Sequence, residues 1–76
     1  MDATATVDAI GTVCPIPIIR AAERIVAIHI GEVLEVLATD EAILDDLPAW
    51  SRATGNEFLG FENELPVYRG YVRRTR

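Results

Sequence analysis

Lysine is missing from this sequence, and cysteine, histidine, methionine and tryptophan occur once each among its 76 residues. One cysteine excludes an internal disulfide framework and a dithiol exchange motif, and a free thiol suits a reducing compartment. There is no apolar run long enough to cross a bilayer, and no charged leader followed by an apolar core and a small-residue cleavage site. An unexported, cytoplasmic protein is therefore expected. The short length leaves no room for a second domain, so residues 1–76 read as one unit, able to bury only about 60% of its unfolded surface.

The net charge of −5 argues against a direct nucleic-acid binder, because phosphate contacts require a basic surface. The charge is uneven. Residues 1–64 hold all 12 acids and three arginines (Arg20, Arg24, Arg52), whereas residues 65–76 hold Arg69, Arg73, Arg74 and Arg76 and no acid. This basic end reads as a charge-protected edge strand, with a docking surface as the alternative.

Half of the residues are apolar, and their spacing sets the elements. Thr4 to Ala9 alternates as a half-buried strand. From Pro15 to about His29 the period becomes helical, with Ile18, Ile19, Ala22, Ile25 and Val26 on the expected core stripe and Pro17, Arg20, Arg24 and Ala27 opposite. Arg20 and Arg24, one turn apart, form either a solvated face or a partner-docking ridge. Ile16 falls at the stripe boundary, partly exposed. His29 is expected on the core side of the last turn, bonding carbonyls, with Gly31 as the stop. Val33 to Ala38 is continuous enough for a central strand parallel to the first. Asp40 is placed to cap the next helix, which Pro48 is expected to break and restart before a stop at Gly55. Asp45 and Asp46 diverge on a helix and have no accompanying ligand cluster, so they read as first-turn acids, and no metal site is expected. Asn56 to Glu62 and Val67 to Val72 complete an antiparallel hairpin. The order βαβαββ predicts an α/β (α+β) two-layer sandwich, a four-stranded mixed sheet with two helices on one face. Leu59, Phe61 and Tyr71 are expected on the open face.

The chemistry-bearing stretch is Gly11-Thr12-Val13-Cys14-Pro15-Ile16-Pro17. Pro15 and Pro17 both fit a first helical turn, where missing N–H groups go unnoticed. Cys14 then falls at the N-cap, where free amides and the macrodipole favour thiolate, the nucleophilic form. A cysteine that only packs has no need of a rigid turn that aims it at a helix start.

The sequence resembles the TusA/SirA-like sulfur-carrier family. Cys14-Pro15-Ile16-Pro17 follows Asp8-Ala9-Ile10-Gly11, and the likeness continues through Gly31-Glu32-Val33-Leu34, Ala38-Thr39-Asp40, Asp46-Leu47-Pro48-Ala49-Trp50 and Gly55-Asn56-Glu57-Phe58 to the closing arginines. It implies a sulfurtransferase-type carrier in which Cys14 accepts and donates sulfane sulfur as a persulfide, Pro15 and Pro17 support the motif, and no cofactor is needed. Ile16, Arg20 and Arg24 become candidate docking residues for sulfur-donor and sulfur-acceptor proteins such as a desulfurase or a rhodanese. The family's often acidic residue between the prolines is Ile16 here. The alternative is a non-catalytic interaction or regulatory domain of the same fold, indifferent to loss of the thiol.

Overall fold

The computed structural model describes all residues, Met1–Arg76. The elements are β1 (Ala5–Ala9), α1 (Ile16–Ile25), β2 (Val33–Ala38), α2 (Ile43–Thr54), β3 (Glu57–Phe61) and β4 (Tyr68–Arg73). The expected βαβαββ order and mixed four-stranded sheet are both found, with strand order β1-β2-β4-β3. β1 runs parallel to β2, while β4 is antiparallel to both β2 and β3. Alternation along β1 and β2 sends Val7, Ala9, Leu34, Val36 and Ala38 to the helix layer, where they meet Ala21, Ile25, Ile28, Ile43 and Leu47.

Several expectations are corrected by packing that involves distant residues. β4 lies inside the sheet, so its arginines do not protect an edge. Arg69 pairs with Glu35 and Glu64, Arg73 pairs with Glu57, and Arg74 donates to the Val26 and Ile28 carbonyls. Those last bonds also explain why α1 ends at Ile25 and not near His29. Its final turn tightens through Ala27 N–H donating to the Arg24 carbonyl, and the Arg74 guanidinium donates to the Val26 and Ile28 carbonyls that would otherwise accept from a continuing ladder. His29 consequently lies outside the helix and is exposed; it bonds Glu32 and no core carbonyl.

The buried face of α1 is Pro17, Ala21 and Ile25, continued by Ile28 in the turn beyond and flanked by half-buried Ile18. Ile19, Ala22 and Val26 are exposed. The expected stripe was rotated because heavy isoleucines outweighed Pro17 and Ala21, the small residues that let the helix approach the sheet. α2 passes through Pro48 without breaking. Pro48 removes only the bond that the Leu44 carbonyl would accept, and Leu44 is 39% exposed, so water can serve that oxygen. The penalty of about 3 kcal/mol for an interior proline is offset by burying Ile43 and Leu47, each contributing roughly 1.5–3 kcal/mol. Gly55 closes α2 in the left-handed region at φ 78°, the conformation expected of a glycine stop.

The open face of the sheet is mixed, with the Glu35–Arg69 pair beside half-buried Val33 and Leu37. A bulge in β3 shifts the register between Phe58 and Gly60, so that Phe58 and Phe61 both pack against the helix-side core with ring centroids 5.1 Å apart. Phe61 is thus not on the open face. Tyr71 projects to that side yet is only 3% exposed, its hydroxyl donating to Glu35 Oε2 at 2.9 Å.

Candidate functional site

Because β1 and β2 are parallel, their C-terminal ends lie side by side, and the loops that leave them meet. The β1 exit carries Gly11 to Cys14; the β2 exit carries Thr39 and Asp40. Gly11 turns at φ 82° and its N–H donates to Thr39 Oγ1 at 2.9 Å. The Cys14 N–H donates to Asp40 Oδ2 at 2.9 Å, while Asp40 Oδ1 accepts from Ala42 N–H at 3.0 Å. One carboxylate therefore joins the cysteine backbone to the turn that begins α2. Its two hydrogen bonds hold the Asp40 carboxyl below its ordinary range, Ala42 contributing more than Cys14.

Cys14 is exposed and has no disulfide partner. The N-cap of α1 is Pro15 and not Cys14 as expected, so the cysteine stands one residue outside it; the peptide between them is cis. Nor are free amides waiting for the sulfur. Ile16 N–H donates to Val13 O, Ile18 and Ile19 N–H both donate to Pro15 O, and Pro17 has no N–H. With its first-turn donors spent or absent, α1 cannot stabilise a thiolate as the sequence suggested. The acids near the thiol act in the opposite sense: Asp46 first, then desolvation and the negative charges of Asp46 and Asp40, push Cys14 up from its ordinary value. The expected activation by the helix start is therefore overturned, whereas the accessibility of the thiol stands.

The motif prolines separate in role. Pro15 is exposed at the N-cap, and Pro17 is buried under α1, anchoring the loop that presents the thiol. Ile16 is half-buried between them, and Val13 on the other side of Cys14 is 66% exposed. Arg20 and Arg24 are exposed but line a separate groove with Thr6, Val7, Asp8 and Glu23, whose walls do not include Cys14. Arg20 is partly committed there, donating to the Asp8 carbonyl at 3.0 Å. The residue that sequence reasoning missed is Asp40, read only as a cap, which also accepts from the cysteine's own N–H. The available signal was the parallel pairing itself, since adjacent parallel strands bring their carboxyl-end loops together and ligands gather there.

The model of the family described as Sulfurtransferase TusA matches residues 5–74. YrkF of Bacillus subtilis is 43% identical over 74 residues, which are 97% of this chain, and the chain spans 40% of YrkF. The sulfur carrier protein TusA of Allochromatium vinosum is 40% identical over 68 residues, covering 90% of each protein. Among solved structures, a SirA-like protein from Desulfitobacterium hafniense superposes with a TM-score of 0.82 at 27% identity, covering 96% of this chain and 100% of that one. With a match of this extent in family model, sequence and fold, the chain belongs to the TusA sulfurtransferase family.

Proposed function

We propose that this protein is a sulfur carrier in which Cys14 holds sulfane sulfur as a persulfide between a donor protein and an acceptor protein. The observation that carries the reading is an exposed, unpaired thiol at the head of a loop fastened on both sides, by Thr39 and Asp40 to the β2 exit and by buried Pro17 to the core. Such a thiol is fixed in place and open to a visiting sulfur.

The chemistry is exchange between sulfur atoms. Cys14 Sγ attacks the outer sulfur of a donor persulfide, the bond between the donor's two sulfurs breaks, and the donor sulfur leaves as a thiolate that takes up the proton lost by Cys14. One sulfur–sulfur bond replaces another, and no oxidant or reductant is consumed. In the second half the roles reverse, the acceptor thiolate attacking the outer sulfur on Cys14. Pro15 and Pro17 set the loop geometry, and Val13 and Ile16 offer an apolar margin to a docking partner. Arg20 and Arg24, in their own groove, are assigned to partner contact away from the sulfur. Desulfurases and rhodanese-like proteins are the donor class this chemistry suits.

Intact-mass measurement tests the reading. After incubation with a persulfidated rhodanese, the wild-type chain gains the mass of one sulfur atom, reversed by a thiol reductant, and Cys14→Ala gains nothing. No addition to wild type, or equal addition to the variant, refutes it.

A further inference from the structure

The outward face of α1 is apolar. Pro15, Ile19, Ala22 and Val26 follow one another at intervals of four, three and four, the spacing that lines a single seam along a helix. All four are exposed, Ile19 by 49% and Val26 by 68%, and the Val26 backbone is still helical. The charged residues of α1, Arg20, Glu23 and Arg24, all lie on the flank toward β1, where they share a groove with Thr6, Val7 and Asp8. None of them forms an ion pair within the chain. An apolar seam bordered by unpaired charges has the layout of an interface, with a dry centre and a polar rim.

We propose that this seam binds a second copy of the same chain, α1 packing antiparallel against α1 about a two-fold axis that passes between Ala22 and Glu23. A two-fold contact needs a surface that complements itself, and the seam does. About that axis Ile19 of each copy meets Val26 of the other, and the two Ala22 side chains lie together at the centre, small enough for the helices to approach closely. Around the helix Glu23 stands about 40° from Ile19, and Arg20 about 100°. Antiparallel packing puts the charged flanks of both copies on one side, with Glu23 of each copy within one turn of Arg20 of the other, so two equivalent ion pairs form. Arg20 reaches the Asp8 carbonyl through Nη1 and keeps Nη2 for this contact. Parallel packing sets each charged flank against the uncharged one and pairs neither. The reciprocal match of Arg20 with Glu23 thus selects a second copy as the occupant. The thiols stay open, because Cys14 lies about eight positions from the axis and the two sulfurs sit at opposite ends of the contact, on the order of 25 Å apart.

A contact made by one short helix from each copy belongs with interfaces below about 1,200 Å², which are weak and transient. The dimer therefore forms as concentration rises and dissociates on dilution. In sedimentation from roughly 10 μM to 1 mM, the average mass of wild type climbs from one chain toward two. Ile19→Asp keeps the mass of one chain throughout, with an unchanged circular dichroism spectrum because the position is exposed. Arg20→Glu or Glu23→Arg alone sets like charges together at both symmetric pairs and weakens association about two- to tenfold, the scale of two exposed charge pairs. The double reversal restores it. In a Cys14→Ala background, Ala22→Cys oxidises to a disulfide-linked dimer, whereas Arg24→Cys, on the flank toward β1, does not.

A one-chain mass up to about 1 mM overturns the proposal, and so does a dimer that survives Ile19→Asp, whose contact lies elsewhere. Failure of the double reversal to restore association overturns the antiparallel arrangement. If the chain stays single and Ile19→Asp slows loading from a persulfidated rhodanese, the seam belongs to a sulfur partner and not to a second copy. The mass measurement needs no sulfur donor, so its result is independent of whether Cys14 carries a persulfide.

Discussion

Gly70 of β4 lies against Leu47 of α2, and adding one methyl there tests how tightly that helix is seated on the sheet. A Cβ on Gly70 overlaps Leu47 Cδ2 outright and reaches Phe61 Cε1 at 3.0 Å and Cδ1 at 3.3 Å. Leu47 is fully buried, and Phe61 is held against Phe58, so neither can step aside into open space. Overpacking of this kind costs about 1–3 kcal/mol, and the lower backbone entropy of alanine returns roughly 0.5–1 kcal/mol. Because the overlap is with the buried Leu47, the cost lies toward the upper end, and a net loss of about 2 kcal/mol is a large share of the few kcal/mol available to a chain this small. At about 4–8 °C per kcal/mol, Gly70→Ala melts roughly 8–16 °C below wild type by circular dichroism. A cycle with Leu47→Ala locates the cause. That substitution alone costs about 2–5 kcal/mol, but less in the Gly70→Ala background, where it removes the clashing methyl and the new one partly fills the gap. An unchanged melting temperature, or an equal cost for Leu47→Ala in both backgrounds, refutes the packing argument.

Four further outcomes follow from particular contacts. Tyr71 is pushed up to about 12 from 10, by burial first and by its bond to Glu35 second, so the unfolded chain ionises earlier and stability falls as pH rises from 10 toward 12. Urea unfolding over that interval shows this slope in wild type and a weaker one in Tyr71→Phe. Glu35 is pushed up by burial but held lower overall by bonds from Thr6, Arg69 and Tyr71. The stability it contributes is complete above the ordinary carboxylate value of about 4.3 and is lost as pH falls through its depressed folded value; Glu35→Gln removes that part of the acid limb. Asp40→Ala releases the N–H groups of Cys14 and Ala42, and hydrogen exchange at both amides quickens; unchanged protection there counts against Asp40 as the link between the two loops. Arg74→Ala leaves the carbonyls after α1 without their guanidinium, and exchange rises around Ala27 and Ile28, whereas an unaltered pattern assigns the end of α1 to local sequence alone.

Legibility in this sequence followed the range of the interactions. The alternation of β1, the apolar run of β2, the glycine stop at Gly55 and the hairpin are near-neighbour effects, and each is found where the pattern placed it. The end of α1 depends on Arg74, 46 residues beyond Ile28, and the burial of Tyr71 depends on Glu35, 36 residues away. No local pattern reports either. Pro48 misled for a different reason, since a rule about one residue was applied without weighing the burial of Ile43 and Leu47 that outweighs it.

The electrostatics around the thiol differ from those that the motif alone suggests. Counting positions from the prolines placed Cys14 beside a helix start, but the macrodipole matters only while its amides remain free, and here the carbonyls of Val13 and Pro15 have taken them. What the thiol faces instead follows from topology. Two parallel strands end together, so the residues after β2 must meet the residues after β1, and those residues include Asp40 and, one helical turn on, Asp46. Asp40 thereby comes to hold the cysteine's own N–H, a contact that follows from the pairing of β1 with β2 and that no reading of the proline motif by itself supplies.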